Sequence, residues 1–198
     1  MTDTLHSLAE RIRHLEDEIE AEIKQRRAVL HADFEGRKIR FEAEILAAQR
    51  RLKKGLLYYL WDSSVLAILT APVIYAGIGP LLLMHAFLWI YEAICFPVYG
   101  ISKVRQRDCF VFDRYHLGYL NAIEKLNCAY CSYGTGVATY FREIIGRTEQ
   151  YWCPIKHARK TLRAHPFYQG FTDFGDAEAF RQELTRLRRE LHGLKDLH

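Results

Sequence analysis

An all-α membrane protein is the fold class that this chain predicts. Three observations predict it: two internal apolar blocks of bilayer-crossing length, a charged N-terminal arm with a heptad seam, and a second such seam near the C-terminus. In order they make a long N-terminal coiled-coil helix (1–54) and a two-helix transmembrane hairpin (55–101). A small helical Cys/His-rich cytoplasmic module (102–170) and a C-terminal amphipathic coiled-coil helix (171–198) follow.

The hairpin rests on length and charge. The blocks run from about Leu56 to Ala76 and from about Leu81 to Ile101. About 21 helical residues span roughly 31 Å, close to the ~30 Å hydrocarbon thickness of a bilayer. Gly77-Ile78-Gly79-Pro80 between them predicts a turn. Residues 55–101 hold only two formal charges, Asp62 and Glu92. Arg50, Arg51, Lys53 and Lys54 precede block one, and Lys103, Arg105 and Arg107 follow block two. The positive-inside bias then predicts a multi-pass anchor with both termini cytoplasmic. Tyr58, Tyr59 and Trp61, with Phe96 and Tyr99, suit an aromatic belt, while Pro72 and Pro97 also admit a re-entrant hairpin. The first fifty residues are hydrophilic, so no signal peptide is expected.

The N-terminal arm is densely charged but nearly balanced, with 12 Lys+Arg against 11 Asp+Glu in residues 1–54. Leu5, Leu8, Ile12, Leu15 and Ile19 keep heptad spacing, and Ile23, Leu30, Phe34, Phe41, Ile45, Ala48 and Leu52 extend it after a stutter. This predicts a near-continuous helix of about fifty residues that docks on another helix or a second copy. At the other end, Phe180, Leu184, Leu187, Leu191 and Leu194 form the second seam, with Asp173 or Asp176 as its cap. It is expected on the arm, on a copy of itself, or on the cysteine module. The net charge of +4 is small and dispersed, which excludes nucleic acid as an expected partner.

Three ionisable side chains fall inside the apolar blocks: Asp62, His85 and Glu92. In a hairpin, Asp62 and Glu92 lie at depths only about 5 Å apart, and His85 shares a face with Glu92. Such groups point to a partner or a pathway. The plainer reading has Asp62 solvated near the interface and His85 hydrogen-bonded across the hairpin.

The residues carrying potential chemistry follow the membrane blocks. Cys128-x2-Cys131 and, 21 residues on, Cys153-x3-His157 have the ligand types and local spacings of a tetrahedral zinc site. Cys109 can replace His157 to give four thiolates, suited to zinc or an iron–sulfur cluster, and Asp113 and His116 are further candidates. Thiol redox chemistry at Cys153, beside Pro154 at the start of a further helix, is one alternative. Reduced cysteines packed as small hydrophobes are the other, and the expected reading for Cys95. Gly134 and Gly136 are expected at a helix entry, and Glu143, Arg147 and Glu149 on an exposed salt-bridged face. No HExxH, GxSxG or phosphate-loop motif occurs, so the sequence leans away from an enzyme.

Asp113-Arg114-Tyr115-His116-Leu117-Gly118-Tyr119-Leu120-Asn121 and Arg147-Thr148-Glu149-Gln150-Tyr151-Trp152-Cys153-Pro154-Ile155-Lys156-His157-Ala158 resemble segments of a bacterial inner-membrane protein family. The resemblance covers roughly Phe96 to His165 and implies that location, without an activity or a ligand set. The expectation is therefore a membrane-anchored scaffold or assembly protein with a cytoplasmic zinc or iron–sulfur module, oligomeric through its coiled coils. A membrane redox component and a metal-free coiled-coil interaction protein are the alternatives.

Overall fold

The computed structural model describes residues 11, 14, 15, 17–19, 21–23, 25, 32–35, 38–41, 43–159, 161, 164–192 and 194, with backbone alone for several residues between 32 and 60. The chain is predominantly helical and divides into two compact units. One comprises residues 1–60 and 113–125, the other 61–112 and 126–198.

In the first unit, residues 11–25 are helical wherever they are described, and Leu15 and Ile19 are exposed. Leu5, Leu8, Ile12 and Leu30 lie outside the described residues. The expected fifty-residue helix is interrupted. Strands β1 (Ala32–Glu35) and β2 (Lys38–Phe41) pair antiparallel, Glu35 opposite Lys38. Two residues separate them in the sequence. Helix α1 (Ala43–Arg51) follows, and Gln49 Oε1 accepts the Gly118 N–H at 2.9 Å. The 3-10 turn Asp113–His116 lies beside β2, and Lys125 Nζ sits 4.8 Å over the Tyr115 ring.

The second unit is organised by two long helices. Helix α2 (Leu56–Asp62) has its first five residues in the first unit; in the second, Ser63-Ser64 precede α3 (Val65–Ala76), and α4 (Ile78–Tyr99) continues from it. The expected turn at Gly77–Pro80 is not made. Gly77 has right-handed helical angles (φ −58°, ψ −15°), and Leu81 N–H bonds Gly77 O. Pro80 falls in the first turn of α4, the part of a helix that tolerates a residue without an N–H. Pro72 and Pro97 likewise sit inside helices. Val65–Tyr99 is thus one 35-residue run, long and apolar enough to cross a membrane, and the only such run among the described residues. At about 52 Å it carries its two ends apart rather than back together. The two-pass anchor with both arms on one side rested on a turn that the chain does not form.

Helix α6 (Ala122–Trp152) runs parallel to α3 and α4, with Tyr75 against Tyr130, His85 against Tyr133, and Tyr99 against Trp152. Its start, which belongs to the first unit, is a reciprocal capping box, in which Glu124 N–H donates to Asn121 Oδ1 (3.0 Å) and Asn121 N–H to Glu124 Oε2 (2.8 Å). Gly134 and Gly136, expected at a helix entry, fall in its middle. A parallel pair needs a connection that travels back. Gly100 turns the chain sharply at φ +68°, and residues 101–112, including α5 (Gln106–Cys109), return as a strap along both helices. The core lies at this junction and holds Leu88, Phe96, Ile101, Tyr140, Ile144 and Leu191. Along α4 the covered positions Ile78, Leu81, His85, Leu88, Glu92, Phe96 and Tyr99 recur every three or four residues.

Past α6, the helix expected after Pro154 is absent from the described residues, and Ile155 bridges Thr172 instead. Helix α7 (Ala177–Glu190) is capped by Asp176, whose carboxyl accepts the Ala179 N–H at 2.9 Å. Its seam packs on the cysteine-bearing segment: Leu187 and Leu191 are buried, and Leu187 O accepts from Gln150 at 2.9 Å.

The strap needs the glycines of α6 unequally. A Cβ on Gly136 meets the Phe110 ring at 2.3 Å, whereas one on Gly134 finds only Leu81 at 3.5 Å. Gly136→Val therefore destabilises the protein by about 1–3 kcal/mol in a denaturation series, and Gly134→Ala leaves the midpoint unchanged or raised.

Candidate functional site

The five proposed metal ligands do not converge. Cys128 and Cys131 lie near the start of α6, and Cys153 directly follows its end, with its N–H still bonded to Glu149 O at 2.8 Å. The step of 22 positions from Cys131 to Cys153 amounts to about 33 Å of helical rise, an order of magnitude beyond a zinc–sulfur bond of ~2.3 Å. His157 stacks on Tyr168, ring centroids 6.0 Å apart, and Cys109 lies in α5 with its Sγ 4.0 Å from Arg105 O. Among the described residues, no three of His, Cys, Asp and Glu gather as a cation would require. The spacing resembles that of a zinc site, but its two halves are separated by the length of one helix in this structure. Asp113 and His116 lie in the 3-10 turn of the first unit.

The three ionisable side chains of the apolar blocks also separate. Asp62 ends α2, and 30 residues of mostly helical chain put it far from Glu92, instead of within the few ångströms a hairpin allows. Glu92 and His85 do share one face of α4, and that face carries the best-organised polar site in the unit.

Glu92 is only 5% exposed. Its Oε1 accepts the Val104 N–H of the strap, and its Oε2 accepts the Tyr140 hydroxyl of α6 at 2.5 Å. Tyr140, fully buried, accepts in turn from Gln106 Nε2 at 3.3 Å. Burial and then the hydrogen bond to Glu92 push the Tyr140 phenol above its usual range, so it remains an O–H donor. About two helical turns N-terminal along α4, His85 Nδ1 pairs with Tyr133 Oη at 2.9 Å, and the ring stacks on Phe110 with centroids 5.0 Å apart.

An ionic layer follows further along α6. Arg147 Nε and Nη2 reach Glu143 Oε1 at 3.0 and 2.9 Å, and Arg147 Nη1 donates to Ser102 O at 2.5 Å. Both side chains are buried, not on the solvated face that their spacing suggested. The i,i+4 pair looks alike in sequence whether water or a neighbouring strap lies over it. Tyr140 was likewise hidden, read as one of several apolar positions on a helix. Its distance of 48 residues from Glu92 leaves no local signal.

This arrangement holds two helices and a strap in register, with each polar group matched to a donor or an acceptor. Neither Glu92 oxygen is left for a substrate. Tyr140→Phe removes one of the two donors to a buried acidic group and costs about 1.5–3 kcal/mol in unfolding experiments in micelles. Tyr91→Phe, which loses only a 3.2 Å contact with Thr148 Oγ1, costs less. Burial first, then Glu143 and Asp108, raise the Cys109 thiol to about 11, while Arg147 opposes them. A raised pKa leaves the thiol protonated at pH 8, so maleimide labels Cys109 at least roughly tenfold more slowly than exposed Cys131, as read by peptide mass spectrometry. No protein-family model matches the chain, and no curated protein or solved structure matches it.

Proposed function

We propose that the protein is a membrane-embedded helical scaffold, in which α3 and α4 sit in lipid and their one covered face holds α6 and the strap. The observation that carries this reading is the outward face of Val65–Tyr99. No residue of α3 is buried, and α4 buries only Leu88, Glu92 and Phe96. The exposed positions include Leu66, Leu69, Val73, Leu83, Phe87, Trp89, Ile90, Ile94 and Val98, and none from Val65 to Val98 is charged. A core helix of a water-soluble fold hides such a surface. Thr70, the one hydroxyl on this face, returns its hydrogen bond to Leu66 O at 2.8 Å, as a side chain in hydrocarbon must.

The resemblance noted in 113–121 and 147–158 favours a bacterial inner membrane as the site. Interaction with a helical partner or a second copy is the second half of the reading. It is supported by exposed Leu15, Ile19 and Ile23 on the helical N-terminal stretch.

Membrane embedding is tested by alkaline carbonate extraction. The native chain stays in the pellet. A Leu83→Lys/Ile90→Lys variant, at about 2.5–3.5 kcal/mol per lysine near the bilayer centre, shifts to the supernatant, and Leu126→Lys on α6 does not. Release of the native chain by carbonate defeats the proposal.

A further inference from the structure

Beyond α6 lies a second feature that the scaffold reading does not use. Among the described residues of 156–165, Lys156, His157, Arg159 and His165 are basic and none is acidic. The described part of this stretch curls around a cavity of about 580 Å³. Its walls include Lys156, His157, Arg159, Thr161, His165 and Tyr168.

Two fixed edges hold the cavity open. On one side, Lys156 N–H bonds Thr172 O at 2.7 Å and Thr172 N–H bonds Pro154 O at 2.9 Å. On the other, His165 Nε2 pairs with Glu149 Oε2 of α6 at 2.8 Å, and Arg142 donates to Ala164 O. A Cβ at Gly146 meets Phe167 and His165 at 2.8 and 2.9 Å, so this edge sits directly on the α6 backbone. Between the edges, Tyr168 stacks on His157 and its hydroxyl accepts the His157 N–H at 2.7 Å, with Thr161 Oγ1 at 3.4 Å.

The charges are only partly matched. Asp173 takes Lys156 at 2.9 Å but is itself mostly exposed, and Glu149 serves His165. Arg159 has neither hydrogen bond nor ion pair among the described residues, and neither ring nitrogen of His157 is bonded there. A guanidinium, an imidazole and two hydroxyls around one concavity match the oxygens of a phosphate group. The volume exceeds what a bare phosphate fills and leaves room for an attached moiety.

We infer that this cavity binds a phosphate group, either free in solution or borne on a lipid headgroup. The inference does not depend on α3 and α4 lying in lipid. The full-length protein in micelles of a non-ionic detergent is titrated with inorganic phosphate by calorimetry. Lipid retention is then measured in nanodiscs of phosphatidylcholine with and without phosphatidylglycerol. Arg159→Gln is the test variant, and Arg181→Gln, an exposed cation on α7, is the control.

Saturable phosphate binding that weakens roughly tenfold in Arg159→Gln and not in Arg181→Gln supports the site with a dissolved ligand. No phosphate binding, together with preferential phosphatidylglycerol retention lost only in Arg159→Gln, supports it with a lipid ligand. Absence of both signals, or an equal effect of the two variants, overturns it. Circular dichroism of both variants matching the native chain assigns any loss to the ligand rather than to unfolding.

Discussion

A single acidic side chain on an otherwise uncharged face sets the arrangement of the larger unit. Glu92 lies in the 35-residue apolar run, where an acidic group without partners is among the costlier features a helix can carry. Its two oxygens take donors from two different segments, the strap at Val104 and α6 at Tyr140. A shift of either segment by one residue replaces a hydrogen bond with an orphaned acceptor, so the carboxyl group specifies register where apolar packing alone tolerates slippage. Buried polar groups are best attested in that role. The direction of α6 follows too, since the strap must reach Glu92 before the chain can travel back to begin a parallel helix.

Polarity along α6 changes with position rather than with face alone. Near its first turns the contacts are hydroxyls and aromatic rings: Tyr130 donates to Ile74 O at 2.7 Å, and Tyr133 meets His85. From Glu143 onwards they become ionic and amide contacts, with Arg147 on Ser102 and Gln150 on α7. The half of α6 beside α3 and early α4 therefore uses weakly polar groups, and the half beside the strap and α7 uses strong ones. That grading accompanies the exposed apolar surface of α3 and the better covered end of α4.

Much of this was legible in the residues, and the failures have specific causes. The apolar run, the cap at Asp176 and the C-terminal seam through Leu187 and Leu191 follow from period and composition. Gly77-Ile78-Gly79-Pro80 misled because glycine and proline mark turns by conformational tolerance, not obligation. Proline in a first helical turn and glycine at right-handed angles are both compatible with continuation. Gly134 and Gly136 misled for the converse reason: Gly136 is in the helix to admit the Phe110 ring, a requirement created by a segment elsewhere in the chain. The cysteine pairs had suitable local spacing, but ligand spacing means convergence only when a loop folds one pair onto the other. Here the intervening residues are a single helix.

The parallel pairing also sets when the partners of Glu92 are synthesised. Glu92 precedes its strap donor by 12 residues and its tyrosine donor by 48. At synthesis rates of about 5–20 residues per second, roughly 2–10 s pass between the appearance of the acidic group and that of Tyr140. Throughout that interval α4 exists with one of its two polar contacts unmade, and the strap alone can shield it. The two donors to Glu92 therefore become available in turn, first from the strap and then from the second helix.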